Sequence, residues 1–356
     1  MIAAVRARIL VDHTHLGRTV TGLERITLDL FAGETLAPLA LEAVRGGSTA
    51  RMIAEQQAGL AARLAADRRA ILLCPGFPPS VPVSLLGRRV VPYIHDLFLI
   101  TRPQDLNWRA RAYMAPAFRF AVARLPWFLV NSEATGRELA AHARPGADIT
   151  LYRPIVRDVF AIASEAEAAA ARRRIVPGGR VDLVAIGTVE PRKNLTAAAA
   201  IVARLRRAHG FDAVLNLVGR PGWGGEAERL AGMEGVVVHG YQPPERVREL
   251  LASAHVFLST SHDEGLGLPL IEAQYAGLPV VAPDKPVFRE VLGSSGLHVD
   301  PADPDDAAAR IAARLAEPDV FAAAAAAASA NIARWNEAAA ADREAVVARL
   351  LAMTAS

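Results

Sequence analysis

Residues 256–282 combine a short apolar run, a loop with two glycines and an apolar helix pattern that leads to a second apolar run. Val256–Leu258 predicts a strand, and Pro269 stands in the first turn of the predicted helix, where a missing N–H costs nothing. A strand, loop and helix in this order build Rossmann-like sheets, and the start of such a helix binds anions. The stretch therefore predicts an α/β fold with an anion site at the end of a strand.

Two carboxylates flank this loop, Glu264 within it and Glu272 eight positions later in the helix. An acid beside an anion site needs hydrogen-bond donors, and the hydroxyls of a sugar or a ribose are donors of the right kind. The backbone groups expected to approach the ligand are those of Gly265, Leu266, Gly267 and Leu268.

The run from Ser261 onward, S-x-x-E-G-x-G-L-P-x-x-E-A-x-x-x-G-x-P-V-V, resembles the donor-site signature of the retaining glycosyltransferases of family 4. Upstream, the segment 187–195 (GTVEPRKNL) resembles the phosphate segment of the same family. The resemblance is close over about residues 180–340 and looser over the first half. It implies the GT-B arrangement, in which two Rossmann-like domains face each other across a cleft, with the nucleotide sugar in the second and the acceptor in the first.

The resemblance also implies roles for individual residues. Arg192 and Lys193 would hold and neutralise the diphosphate, Glu264 would hold the sugar hydroxyls, and Glu272 would take the ribose hydroxyls. Weaker candidates, each with an ordinary structural alternative, are Tyr241 near the nucleobase, Glu290 on the donor side, and Gly17 and Gly22 over the diphosphate. No metal ligand set and no cofactor is expected, because two fixed cations can stabilise a departing diphosphate.

The alternation of strands and helices predicts two domains. The first spans residues 1–175 as the acceptor domain, and the second spans residues 176–334 as the nucleotide-sugar domain. The boundary follows from the prolines, the Ala/Glu/Arg run and the Pro-Gly-Gly of residues 150–178. A final helix over about residues 335–356 is expected to cross back to the first domain.

Histidines mark the first half. His95 follows the predicted strand Val90–Ile94, and the resemblance places a histidine here against the donor sugar, whereas Asp96 fits either substrate binding or a helix cap. His13 and His15 follow the first predicted strand and also match the opening of a metal-dependent amidohydrolase barrel. That barrel needs a lysine ligand, and both lysines, Lys193 and Lys285, stand in other contexts.

Charge is divided unevenly along the chain. Residues 1–175 carry 23 basic and 15 acidic side chains, and residues 176–356 carry 17 and 22. A basic first half favours peripheral contact with an anionic membrane or a diphosphate-linked lipid over nucleic acid, because only two basic residues are lysines and no aromatic-interleaved motif occurs. One cysteine, no signal peptide and no long apolar run predict a cytoplasmic protein, either free or peripheral on the inner face of the cytoplasmic membrane.

The phosphate segment and the His95 strand end look most like bacterial mannosyltransferases that use GDP-mannose to extend O-antigen or exopolysaccharide on a lipid carrier. UDP-glucose, UDP-N-acetylhexosamines and dTDP-rhamnose remain alternative donors. A nucleotide-sugar 2-epimerase and a non-catalytic nucleotide-sugar-binding subunit remain alternatives of a different class. Asp303-Pro-Asp305 has the letters of a metal-binding motif but precedes a predicted helix, which favours a cap.

Overall fold

The computed structural model describes residues 8–16, 22–106, 108 and 110–355. Contacts divide the chain into two compact units: the first takes in residues up to Ile155 together with those from Glu337 onward, and the second runs from Val156 to Asn336. Each unit is built around its own six-stranded parallel sheet.

The first sheet has the strand order β2-β1-β3-β4-β5-β6. Its strands are β1 (Ile9–His13), β2 (Leu41–Arg45), β3 (Ile71–Cys74), β4 (Val90–Ile94), β5 (Trp127–Val130) and β6 (Asp148–Leu151). Strands β1, β3, β4 and β5 are buried along their whole length, as expected for strands covered by helices on both faces.

The helices of the first unit connect these strands. They are α1 (Gly22–Leu30), α2 (Thr49–Ala54), α3 (Leu60–Ala66), α4 (Val81–Ser84), α5 (Phe98–Thr101), α6 (Ala115–Arg124) and α7 (Glu133–Ala140). Single π turns precede α3 (Glu55–Gly59) and α6 (Ala110–Met114), and short 3₁₀ turns occupy Gly87–Arg89 and Pro103–Asp105. The Ser132 hydroxyl caps α7 by accepting from the backbone N–H of Thr135 at 3.0 Å.

The second sheet has the strand order β12-β11-β10-β7-β8-β9. Its strands are β7 (Arg180–Ile186), β8 (Asp212–Val218), β9 (Val236–Gly240), β10 (Val256–Leu258), β11 (Val280–Pro283) and β12 (Gly296–Val299). Its helices are α8 (Ala166–Arg172), α9 (Leu195–His209), α10 (Glu226–Ala231), α11 (Pro244–Ser253), α12 (Leu268–Gln274), α13 (Pro286–Leu292) and α14 (Pro304–Leu315), with 3₁₀ turns at Ala163–Glu165, Pro191–Lys193 and Gly293–Ser295. The apolar faces of α9 and α14 pack on this sheet and close its core.

The last helix, α15 (Val320–Ala355), contributes to both units. Its second half, from Glu337 onward, lies in the first unit, where the Arg349 guanidinium stacks 4.0 Å from the Trp127 ring and Nη1 donates to Asp148 at 2.6 Å. Asp342 in the same stretch accepts from Arg153 at 2.9 Å. No helix in the described part of the chain is both long and apolar enough to span a bilayer.

Residues 156–175, which the sequence assigned to the first domain, group with the second unit. Arg173 anchors them: its side chain is buried, and its Nε donates to the Ala254 carbonyl at 2.7 Å and its Nη2 to the Ala276 carbonyl at 3.2 Å. The guanidinium thus binds carbonyls that follow α11 and α12, where the helix dipole favours a cation.

The expected α/β class with two parallel sheets is confirmed, and the two open sheets rule out the amidohydrolase barrel. Asp303 acts as the predicted cap, because its carboxylate accepts from the N–H of Asp306 at 3.1 Å and opens α14. Asp305 instead forms an ion pair with Arg204 at 3.0 Å. Two strands at sheet edges, β2 and β6, were not predicted.

Candidate functional site

The candidate site of the second unit lies where the strand order of its sheet reverses. β7 has β8 on one side and β10 on the other, so the loops that follow β7 and β10 start from neighbouring strand ends. In open α/β sheets, ligands bind at the carboxyl ends of the strands at such a point. Both motifs singled out in the sequence, residues 187–195 and residues 259–272, begin there.

Hydrogen bonds hold these two loops together. The Thr260 hydroxyl donates to the Asn194 carbonyl at 2.8 Å, and the N–H of His262 donates to the Arg192 carbonyl at 2.9 Å. Asn194 adopts a left-handed conformation, with φ of 50°, at the point where the turn ends and α9 begins. These contacts hold the two loops against each other independently of the charged side chains.

A carboxylate lies between two cations in this loop pair. Lys193 Nζ donates to Glu264 Oε1, and Arg192 Nη1 donates to Glu264 Oε2 at 2.9 Å. The Ser261 hydroxyl adds a third donor to Oε1 at 2.8 Å. The structure thus brings together three residues, Arg192, Lys193 and Glu264, that the sequence predicted to share one site.

Arg192 is held on two sides, because its Nη2 also donates to Glu190 at 2.8 Å. The side chains of Arg192, Lys193 and Glu264 keep only 19%, 16% and 11% of their surface exposed. Burial alone would raise the pKa of Glu264, but the charges of Lys193 and Arg192 outweigh it and lower the pKa to about 2. Glu264 is therefore ionised at neutral pH and offsets much of the positive charge around it.

A small cavity of about 30 Å³ lies against this cluster. Its walls include Gly187, Lys193, Ser261, Glu264, Gly267 and Leu270. A volume of this size holds roughly two waters.

Glycines let the walls of this site come close. Gly267 opens α12 with φ of 79°, and a Cβ there would lie 2.8 Å from Leu270 Cδ1. A Cβ on Gly219, in the loop after β8, would lie 1.8 Å from the Gly187 carbonyl oxygen. Gly265 and Leu266 complete the loop, with Leu266 buried, and Leu268 is the first residue of α12. The helix that the sequence expected to bind the anion is short, with 7 residues.

The remaining donor-side candidates lie outside the cavity lining. Glu272 is buried in the second turn of α12. Tyr241 follows β9 and is 64% exposed, and the Arg220 guanidinium lies 4.7 Å from its ring centroid. Glu290 lies in α13, and its backbone carbonyl accepts from Arg334 Nη2 at 2.9 Å. The assigned roles of these three residues stay predictions.

In the first unit, histidines line the carboxyl edge of the sheet. His95 Nε2 donates to the Pro75 carbonyl at 2.7 Å, and burial lowers the pKa of His95 to about 4, so the ring is neutral with its proton on Nε2. Asp96 accepts from the N–H of Phe98, the first residue of α5, at 3.0 Å, which fits the predicted alternative of a helix cap. Gly22 is the first residue of α1, and Gly17 lies outside the described residues.

His13 is the last residue of β1 and His15 lies two residues later, at the point where the first sheet reverses its order, between β1 and β3. Both rings are buried, and none of their nitrogens has a hydrogen-bond partner among the described residues. Burial lowers the pKa of His13 to about 4 and also lowers the pKa of His15. A Cβ on Gly76 would lie 2.3 Å from the His15 ring, so this loop approaches the histidine as closely as a glycine permits.

Several residues of these sites were missed in the sequence. Glu190 and Ser261 complete the hydrogen bonds of the cluster in the second unit. In the first unit, the buried Asp12 accepts from the Thr14 hydroxyl at 2.6 Å, and Gln56 donates to that hydroxyl at 2.9 Å. Glu190 and Ser261 lie within the recognised motifs, which is the signal that could have identified them. Within the described residues, no group of three or more His, Cys, Asp or Glu side chains is placed to hold a metal ion.

The second unit resembles known glycosyltransferases in sequence. Residues 180–317 match the family model described as glycosyl transferases group 1. The O-antigen chain mannosyltransferase B of Escherichia coli is 36% identical over 131 residues, which cover 35% of this chain and 34% of the relative. The D-inositol 3-phosphate glycosyltransferase of Thermobispora bispora is 30% identical over 290 residues, which cover 77% of this chain and 60% of the relative. The chain thus spans less than two thirds of the length of either relative.

A structural likeness extends over nearly the whole chain. The Anabaena protein Alr3699/HepE, solved in complex with UDP and glucose, superposes with a TM-score of 0.63 at 16% identity, covering 93% of this chain and 97% of that one. The two-sheet fold is that of the GT-B glycosyltransferases, as the sequence resemblance implied.

Proposed function

We propose that the chain transfers a hexosyl group from a nucleotide sugar to a saccharide acceptor with retention of anomeric configuration, because residues 180–317 match the model of the group 1 glycosyltransferases. The observation that carries the proposal is the cluster in which Arg192 and Lys193 converge on Glu264 at the carboxyl edge of the second sheet. Fixed cations at this position suit a diphosphate leaving group, because they stabilise the negative charge that develops as the glycosidic bond breaks.

The diphosphate takes over the cations that Glu264 now neutralises. A phosphate group enters by replacing the carboxylate between Lys193 and Arg192, because both cations now donate to Glu264. Glu264 then has its oxygens free to accept hydrogen bonds from the sugar hydroxyls. Glu190 keeps Arg192 in place during the exchange, since its bond to Nη2 does not involve Glu264.

Reaction proceeds on one face of the sugar. The bond from the anomeric carbon to the phosphate oxygen breaks, the acceptor oxygen bonds to that carbon from the same side, and the acceptor proton passes to the departing phosphate oxygen. This route needs positioning and charge stabilisation rather than a covalent nucleophile. Glu264, the one carboxylate that lines the described cavity, fits hydroxyl binding because it is ionised at neutral pH and can accept hydrogen bonds on both oxygens. We expect transfer to persist in excess chelator.

The rest of the donor extends from this cluster. Glu272 binds the ribose hydroxyls, and the exposed ring of Tyr241, with Arg220 beside it, offers a stacking surface for the base. We propose GDP-mannose as the donor, because the Escherichia coli relative is by name a mannosyltransferase. UDP-glucose is the second candidate, because the Anabaena protein of similar fold was solved with UDP and glucose. UDP-N-acetylhexosamines and dTDP-rhamnose are further alternatives.

We propose a lipid-linked saccharide or polysaccharide as the acceptor, bound in the first unit. The neutral rings of His13, His15 and His95 suit sugar hydroxyls better than an anion, because an uncharged imidazole nitrogen accepts a hydrogen bond without adding positive charge. With such a substrate, the protein would act at the inner face of the cytoplasmic membrane. The phosphate-bearing acceptor in the name of the Thermobispora bispora relative is the alternative.

A transfer assay with purified protein, the candidate donors and an oligosaccharide acceptor tests the proposal. Arg192→Ala and Lys193→Ala should each lower kcat by about 100-fold or more, because each removes a positive charge that stabilises the leaving group. Glu264→Ala should lower kcat to a similar extent, because it removes the acceptor for the sugar hydroxyls. Arg207→Ala, an exposed change on α9 of the same unit, is the control and should retain full activity. Turnover within threefold of wild type for both cation variants would refute the phosphate role.

Donor incubated alone separates the alternative classes. A transferase leaves the sugar unchanged or hydrolyses it slowly, whereas a 2-epimerase converts it to its epimer without acceptor. A non-catalytic subunit would shift its unfolding temperature with a nucleoside diphosphate yet form no product with any donor.

A further inference from the structure

The first sheet has a second edge, formed by the amino ends of its strands, on the side opposite the histidines. Arg88, Arg124 and Arg144 come just before β4, β5 and β6 along the chain. Because these strands are parallel neighbours, residues before their starts lie along one edge, whereas His95 and Asn131 follow two of the same strands at the other edge.

The side chains of Arg88, Arg124 and Arg144 surround one open depression of about 490 Å³. Its other walls are Gly87, Ala123 and Pro126, so no carboxylate lines it. All three arginines are exposed, and none forms an ion pair or side-chain hydrogen bond within the described parts of the chain. Three cations therefore share one surface without a counter-ion from the protein.

Two acidic side chains at this edge already form ion pairs with other arginines. Asp148, the first residue of β6, accepts from Arg349 at 2.6 Å. Glu42, on β2, accepts from Arg8 Nε at 3.1 Å. Because these two carboxylates are already paired, they do not neutralise Arg88, Arg124 and Arg144.

The cationic surface continues along the sheet. Arg68 and Arg69 precede β3, the neighbour of β4, and both are exposed, while Asp67 accepts from the backbone N–H of Arg69 at 3.0 Å. Four adjacent strands span about 14 Å, which is wider than a single phosphate group. Leu85, three residues before Arg88 along the chain, keeps 54% of its surface exposed. We call Arg68, Arg69, Arg88, Arg124 and Arg144 the arginine edge.

We propose that the arginine edge docks the first unit on an anionic phospholipid leaflet. Guanidinium groups bind phosphate oxygens through paired hydrogen bonds, and an exposed leucine close to Arg88 along the chain adds apolar contact with the interface. Nucleic acid would favour exposed aromatic rings among the cations, but Trp127, the ring at the start of β5, is 3% exposed. The proposal rests on the proposed function only for its purpose, and its test uses no sugar nucleotide.

Sedimentation with vesicles tests the docking. At low salt, the wild-type chain should bind vesicles that contain both phosphatidylcholine and phosphatidylglycerol. It should not bind vesicles that contain only phosphatidylcholine. The combined change Arg88→Gln, Arg124→Gln and Arg144→Gln should weaken partitioning on the order of 100-fold, since each basic residue near an anionic surface contributes about a fivefold factor. The control combines Arg51→Gln, Arg172→Gln and Arg207→Gln, which lowers net charge equally at exposed positions elsewhere.

Folding is checked by the unfolding temperature and by its shift with a nucleoside diphosphate, both of which should match wild type in the two triple variants. Leu85→Ser is a second probe and should weaken binding without changing charge. Absence of binding to phosphatidylglycerol vesicles, equal losses in the two triple variants, or preferential binding of single-stranded RNA over those vesicles would each overturn the proposal. If the wild-type protein showed no transferase activity with any donor, the proposed function would be refuted. The vesicle-binding result would not be affected.

Discussion

Glu264 determines how the candidate site behaves before any ligand is present. It accepts from Lys193, Arg192 and Ser261, so both of its oxygens are used inside the protein. Without it, two half-buried cations would face each other with less compensation. The same contacts that prepare the cations for a diphosphate therefore also stabilise the fold of the two loops.

The low pKa of Glu264 predicts a specific pH dependence of stability. Because the folded state holds this pKa near 2 while the unfolded chain titrates near the ordinary value of 4.5, the stabilisation is complete above about pH 5 and is lost as the pH falls toward 2. Between pH 6 and pH 3, this group alone should cost the wild type roughly 2 kcal/mol of unfolding free energy, measured by urea denaturation.

Glu264→Gln is the matched variant, because the amide has nearly the same shape and does not titrate. Its stability should be lower than that of wild type at pH 6 and should fall less steeply toward pH 3. Parallel curves for the two proteins over this range would mean that Glu264 is not held between the cations in solution.

The main charged residues of the second unit could be predicted from the sequence, because they lie in motif-bearing loops that directly follow apolar strand segments. The sequence predicted Arg192, Lys193 and Glu264 as site residues, but not that the acid neutralises the cations. Contacts between residues about 70 positions apart, such as Lys193 with Glu264, depend on which strands are neighbours in the sheet. Neither motif predicts the strand order.

Among the elements, the loops after β7 and β8 are joined along their length. Val189 and Pro221 form an isolated bridge, and Gly222 donates to the Val189 carbonyl at 2.9 Å. At the base of the pair, Gly219 lies against the Gly187 carbonyl oxygen, where a Cβ would come within 1.8 Å. The position of the segment that carries Arg192 and Lys193 thus depends on the backbone of the next loop.

Gly219→Ala should therefore separate the two loops. We expect it to lower the unfolding free energy by about 2 to 3 kcal/mol, because the methyl group forces the backbone apart, and to weaken nucleoside diphosphate binding measured by calorimetry. Gly232→Ala is the control, since a Cβ there meets nothing within 4 Å and the residue has φ of −92°. Wild-type affinity and stability in Gly219→Ala would show that the loops are not held by this approach.

Strand prediction succeeded in the middle of each sheet and failed at edges of the first. β4 and β10 are buried along their length and read as apolar runs. β2, with the sequence LEAVR, and β6, with DITL, are partly exposed and mix charged with apolar residues. An edge strand has a neighbour on one side only and needs less apolar surface, so its sequence carries a weaker signal.

For the whole molecule, the two units carry different kinds of chemistry. The family match covers residues 180–317 of the second unit, whose loops carry the cations and the acid. The first unit offers buried neutral histidines at one edge of its sheet and unpaired arginines at the other. Its sequence placed His95 at a strand end but gave no pattern for the acceptor, because residues such as Asp12, Thr14 and Gln56 meet only through the fold.

A crystal structure of the protein with a bound nucleoside diphosphate tests the central claim most directly. The account predicts phosphate oxygens within about 3 Å of Lys193 Nζ and of the Arg192 guanidinium, with the Glu264 carboxylate displaced from at least one of these cations. A diphosphate bound elsewhere, with both contacts of Glu264 intact, would contradict it.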